Sequence, residues 1–140
     1  MIKKLHVSKL FLVSLLICYL YILLALYAVI NISPPTLDTD HSEKIWAAVK
    51  LSYARMAIIV LFIFGYPIVL FSSLKYAKHV TIALTAWAIA MYIDDHFILY
   101  KILEYPEEVL VRVTLLLRPL LIICLIWMSF ELTYSKSKVE

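Results

Sequence analysis

Two adjacent carboxylates and an imidazole, Asp94, Asp95 and His96, interrupt a long apolar stretch, TIALTAWAIAMYIDDHFILY over residues 81–100. Such side chains carry protons, coordinate ions and ligate metals. At membrane depth they cost several kcal/mol unless paired or hydrated, so they face a bundle interior or a cavity. The basic groups that could answer them are Arg118 and Arg112 later in the chain and Arg55 before them. A buried carboxylate paired with a guanidinium stays charged, whereas an unpaired one takes up a proton. Tyr92, His96 and Tyr100 stand four residues apart and share one helical stripe, a row of three hydrogen-bonding groups. Asp95 and His96 are also oxygen and nitrogen ligands. Neighbouring helix residues point about 100° apart, so a metal there would need a further ligand from another subunit, and no metal site is expected. For the same reason Asp94, Asp95 and His96 cannot all face one neighbour.

Composition sets the elements that must position these groups. Of 140 residues, 64% are hydrophobic and 16% charged, which excludes a soluble domain of this size. A hydrocarbon core of about 30 Å takes roughly 20 apolar residues per helix. Four windows satisfy this: Leu10–Ile30, Arg55–Leu74, Val80–Tyr100 and Val109–Phe130. They are apolar on every side, unlike the alternating strands of a membrane barrel. The fold expected is all-α, a polytopic membrane protein forming one antiparallel up-down four-helix bundle over residues 1–140. The first window is too long for a secretory signal core and has no small-residue cleavage site after it, so it reads as a retained anchor. Cys18 and Cys124 lie inside apolar windows with no CxxC spacing and read as small buried hydrophobes.

Lys3, Lys4 and Lys9, then Lys75 and Lys78 in KYAKH, then Lys136 and Lys138 fall on one side of a four-span chain. Asp38, Asp40 and Glu43, and Glu104, Glu107 and Glu108, fall on the other. Basic connections mark the cytoplasmic side, so both termini are expected in the cytoplasm of a cell (plasma) membrane protein. The net charge of +3 follows from that topology, and no nucleic-acid partner is expected.

Pro34-Pro35 ends the first helix, and Asp40 with Glu43 predicts a capped start for the second near His41. Residues 42–54 then form an amphipathic extension on the outer surface, with Trp46 and Tyr53 as interfacial anchors. Gly65 and Pro67 predict a bend. The third window is rich in small residues, with Ala86 and Ala90 as a small-xxx-small pair, and is expected to be the most protein-covered. Asp94 lies twelve residues before Pro106 and Arg118 twelve after it, so at about 1.5 Å per residue the two stand at one depth. A ladder follows, with Asp94 or Asp95 on Arg118, Arg55 taking the remaining carboxylate, His96 above, and Arg112 with Glu104 near the rim. Pro119 leaves the Leu115 carbonyl without its helical donor, a place Arg118 or a neighbour could fill.

Four spans with cytoplasmic termini, acids on the third and arginines on the fourth resemble a voltage-sensor domain, in which basic residues recur at every third position. Here the run is Arg112-x-x-Leu115-x-x-Arg118, with leucine at the middle basic position and no intramembrane acid in the first two windows. The resemblance implies a proton-conducting or voltage-sensing use of the same residues. No phosphate loop, no nucleophile beside a base and no paired metal ligands occur. The function expected is a small non-catalytic accessory or structural subunit of a larger membrane complex. Its partners would be membrane lipids and other transmembrane subunits, with bound lipid and no cofactor. The alternative is a homo-oligomeric proton or ion channel or transporter using Asp94, Asp95, His96 and Arg118. A third reading is a membrane enzyme with a metal or lipid site at the outer interface.

Overall fold

The computed structural model describes residues 7–31, 40–72, 74–99 and 109–134. It is all-α. Helix α1 is Lys9–Ile30, α2 is Asp40–Ser72, α3 is Leu74–Asp94 continued by one π-helical turn Asp95–Leu99, and α4 is Val109–Tyr134. Helix α1 contains neither proline nor glycine and is built mostly of leucine, isoleucine, alanine and tyrosine, so little in it opposes the helix. Ser8 caps its start: the serine backbone is extended and its Oγ accepts from the Phe11 N–H at 3.1 Å. At the other end the Asn31 N–H donates to the Tyr27 carbonyl at 3.2 Å.

Each helix packs against its two neighbours in a closed cycle, α1 on α2, α2 on α3, α3 on α4 and α4 on α1; among the described residues the backbones of the diagonal pairs do not come close. Cross-helix bonds fix the directions. Tyr66 meets Thr81 while Arg55 meets Asp94, so α2 and α3 are antiparallel. Thr85 meets Ser129 while Asp95 meets Arg118, and Ser8 meets Glu131 while Tyr21 meets Arg118. The start of α1 and the end of α4 therefore lie at the same end of the bundle, together with the α2–α3 junction. The core runs through Phe11, Cys18, Tyr66, Ala88, Leu125 and Met128. An apolar gap of about 40 Å³ remains at the centre, walled by all four helices.

The exterior is also apolar. Leu16, Leu61, Phe64, Ile68, Leu116 and Ile123 are all more than half exposed, a surface suited to hydrocarbon and not to water. Lys9–Ile30, Lys50–Ser72 and Val109–Tyr134 are each long and apolar enough to cross a membrane. The fourth helix, α3, carries Lys75, Lys78 and His79 in its opening turns and Asp94 at its end.

Three expectations are corrected. KYAKH is not a connection: α3 already begins at Leu74, because lysine and alanine are good helix formers and the charges alone do not break a helix. The most covered helix is α4, which buries eight residues against α1 and α3. Small residues allow close approach but bring little side chain to bury. Ala86 and Ala90 are exposed, and the face of α3 that packs inward is Ala77, Thr81, Thr85 and Ala88. Helix α2 begins at Asp40 as expected, and Trp46 and Tyr53 are exposed on it. The caps at Asp38–Glu43 and the turn around Pro106 lie outside the described side chains.

Helix α2 runs unbroken through Gly65 and Pro67. A Cβ on Gly65 would meet open space, so close packing does not require glycine there. Pro67 cannot donate to the Ile63 carbonyl four residues earlier, and Tyr19 of α1 supplies the missing donor, its hydroxyl 3.1 Å from that oxygen. Tyr19→Phe should keep the stacking on Phe62 yet lower the thermal midpoint in detergent, a loss of about 0.5–1 kcal/mol. In a Pro67→Ala background, where the backbone donor returns, the same substitution should cost almost nothing. An equal loss in both backgrounds would sink this account.

Candidate functional site

All four helices contribute to one polar cluster. From α2, Arg55 spreads its guanidinium over both adjacent carboxylates, Nη1 at 2.7 Å from Asp95 and Nη2 at 3.0 Å from Asp94. From α4, Arg118 pairs through Nη1 with the second oxygen of Asp95, and its Nε donates to the Tyr21 hydroxyl of α1 at 3.2 Å. The planar guanidinium fork suits such bridging, since several fixed N–H groups can meet two acceptors at once. Asp95 opens the π-helical turn. That wider turn ends α3 where Arg55 of α2 reaches both consecutive aspartates and Arg118 of α4 reaches Asp95, so two neighbouring helices are addressed.

Burial grades the cluster. Asp95 is 2% exposed, whereas the Asp94 side chain keeps 44% of its surface and the Arg55 and Arg118 side chains keep 18% and 13%. Two guanidiniums and two carboxylates cancel, so the cluster is neutral. Among the described residues no buried side-chain nitrogen or oxygen lacks a partner.

Equal depth across the α3–α4 pair left either aspartate open to Arg118, and the one it takes is Asp95. Arg55 takes the other aspartate as expected and shares Asp95 as well. His96 sets Nδ1 3.0 Å from the Tyr92 carbonyl, with the two rings 4.2 Å apart, so that part of the stripe forms; Tyr100 lies outside the described residues. Arg112 is exposed on α4 and does not join Arg118, because six residues at 100° each leave the two about 120° apart. Glu104, the expected partner of Arg112, lies outside the described residues. Arg118 donates to Asp95 and to Tyr21, and no bond from it to the Leu115 carbonyl occurs among the described residues. Both oxygens of Asp95 accept from arginines, and among the described residues no group of three or more histidine, cysteine, aspartate or glutamate side chains is placed to hold a metal ion.

A second polar contact was not anticipated. Glu131, 7% exposed near the end of α4, accepts the Ser8 N–H at 2.8 Å and the Ser8 hydroxyl at 2.7 Å. Between the two sites, Tyr66 meets Thr81 at 2.8 Å and Thr85 meets Ser129 at 3.0 Å. The available signal for Glu131 was a single carboxylate among SFELTY, one residue past the last apolar window. Tyr21 offered none, since nothing distinguishes it from the other tyrosines of α1. Compared with family models, curated proteins and solved structures, the chain matches none.

Proposed function

We propose that the chain is a small, non-catalytic, multi-pass subunit of a larger complex in the cell membrane, with both termini cytoplasmic. The observation that carries this reading is the closure of the charged cluster. Arg55, Asp94, Asp95 and Arg118 neutralise one another inside a single chain. Each oxygen of Asp95 accepts from a different guanidinium, one on α2 and one on α4, so the cluster serves as a brace. What remains for interaction is the apolar exterior, which meets lipid and other transmembrane helices. The exposed Ala86 and Ala90 on α3 are compatible with a close helix partner. The orientation is supported by Lys9, Lys75 and Lys78 gathering at the bundle end where Ser8 meets Glu131.

The test is cross-linking in intact membranes followed by purification in mild detergent. Foreign transmembrane chains should be cross-linked to the protein at fixed stoichiometry. A stable homo-oligomer carrying no other chain would overturn the reading. Proton or ion flux in liposomes, abolished by Asp94→Asn, would instead establish the channel alternative.

A further inference from the structure

We propose that the gap at the centre of the bundle is a binding site for one small apolar molecule of the size of dioxygen, drawn from the surrounding hydrocarbon. The gap measures about 40 Å³, and its wall includes Cys18 and Tyr21 of α1, Phe62 of α2, Trp87 and Ala88 of α3 and Leu125 of α4, with no polar atom exposed on it. A water molecule in such a space needs about two to four polar partners and finds none, so the gap is dry. Size narrows the occupant further. A dry cavity of about 150 Å³ holds benzene, and this one, at about a quarter of that volume, takes one or two heavy atoms. A lipid tail or an aromatic ring is too large, whereas dioxygen or a single atom of xenon fits.

The site lies between two polar levels that hold it open. Ile59 and Met91, which also line it, stand one helical turn from Arg55 and Asp95, and Tyr21 turns its ring to the gap while its hydroxyl accepts from Arg118. The ion pairs therefore close one end. At the other, Phe62 packs on Tyr66 with ring centroids 4.9 Å apart, and Tyr66 bonds to Thr81. Bonds at both levels fix the spacing of α2 and α3, and between them Ala88, 2% exposed, brings only a methyl group. The way in is from the side. Ile59, Phe62 and Trp87 are partly buried, and α2 is the least covered of the helices long enough to span, so the wall between α2 and α3 is one side chain thick toward the lipid. Apolar gases favour hydrocarbon over water, and the lipid supplies them at that wall.

The inference goes beyond the accessory reading and rests on no protein partner, so it survives a failure of the cross-linking test above. The full chain would be reconstituted in nanodiscs of phosphatidylcholine with Trp46→Phe and Trp127→Phe, which leaves Trp87, on the wall of the gap, as the one tryptophan. Xenon, a heavy-atom quencher, is the probe. An atom seated in the gap darkens Trp87 without shortening the lifetime of the remaining emission, whereas atoms arriving from lipid shorten it. A saturable loss of intensity at constant lifetime is expected on top of that collisional part. In mild detergent, the xenon pressure that half-fills the site should raise the folded-to-unfolded ratio about twofold. Benzene, too large for the gap, should leave the saturable loss unchanged. Ala88→Ile, which fills the gap from α3, should abolish the saturable part and keep the collisional one, and Cys18→Leu does the same from α1 should the first variant not fold. Wholly collisional quenching in the parent protein would overturn the proposal. A saturable loss undiminished in a folded, gap-filled variant, or displacement of xenon by benzene, would do so as well.

Discussion

Asp95→Asn is expected to lower the stability of the bundle by about 3–5 kcal/mol, the loss seen when one member of a buried ion pair is removed and its partner is left charged. The substitution keeps volume and shape, so the loss isolates the charge. Asparagine would leave Arg118, whose side chain is 13% exposed, with only the Tyr21 hydroxyl and a neutral amide oxygen. Asp94→Asn should cost less than about 1 kcal/mol, because that side chain keeps 44% of its surface and its single bond to Arg55 is partly hydrated. The contrast between two adjacent aspartates is the informative quantity. A second substitution sharpens it: in the Asp95→Asn background, Arg118→Met should recover much of the loss by removing the orphaned guanidinium, while Arg118→Met alone should be severely destabilising. Detergent unfolding followed by tryptophan fluorescence would measure all four proteins. Equal effects at Asp94 and Asp95, or no recovery in the double variant, would show that burial of Asp95 does not govern the cluster.

The same pair shows how far the sequence could be read. Depth along a helix changes by only about 1.5 Å per residue, so counting from Pro106 brought Arg118 to the level of the aspartates with little error. Facing changes by about 100° per residue, and counting cannot supply a rotation to that accuracy when the turn after Asp94 is π-helical. The helices and their up-down order were legible because long apolar windows can form little else in hydrocarbon. The KYAKH boundary was misread because lysine marks the membrane surface without marking the end of a helix. Tyr21 was invisible because its role depends on the rotation of α1 against α4, and no spacing in one helix encodes that. Glu131 carried a signal, a carboxylate in an apolar context, but stood just past the window within which such residues demand a partner.

Polar contacts occur at three levels of this bundle, and their placement follows from the solvent. In lipid, apolar side chains gain little by leaving hydrocarbon for a protein interior, so helices associate through packing and interhelical hydrogen bonds. The charged cluster ties all four helices at the end of the bundle remote from Ser8. Tyr66 with Thr81 and Thr85 with Ser129 tie α2 to α3 and α3 to α4 near the middle. The Ser8–Glu131 contact closes the cycle at the opposite end. The middle level joins consecutive helices and the two outer levels join α1 to α4, so the contacts select one cyclic arrangement from those the apolar surfaces would permit.

Glu131→Ala is expected to be the next most damaging substitution, costing about 2–4 kcal/mol. One carboxylate accepts both the Ser8 N–H and the Ser8 hydroxyl, bonds worth about 1.5–3 kcal/mol when the acceptor is charged, and the serine it fixes is the N-cap of α1, worth about 1 kcal/mol more. Its position also sets the sign of a dipole effect. A carboxylate in the last turn of α4 is unfavourable to that helix, yet it lies against the N-terminus of α1, where negative charge is favoured; the contact spends the first interaction on the second. Glu131→Gln, which keeps one acceptor and loses the charge, should fall between wild type and alanine. Ser8→Ala removes the cap and one of the two bonds but leaves the N–H in place, so the double variant Ser8→Ala, Glu131→Ala should be less destabilised than the two single losses added together. Amide hydrogen exchange locates the effect: protection should fall at Phe11 and Leu12, whose N–H groups bond to Ser8, while α3 is unchanged at Thr81 and Thr85. Strict additivity in the cycle, with protection lost evenly along α1, would mean that Glu131 stabilises α4 by packing alone and does not hold the start of α1.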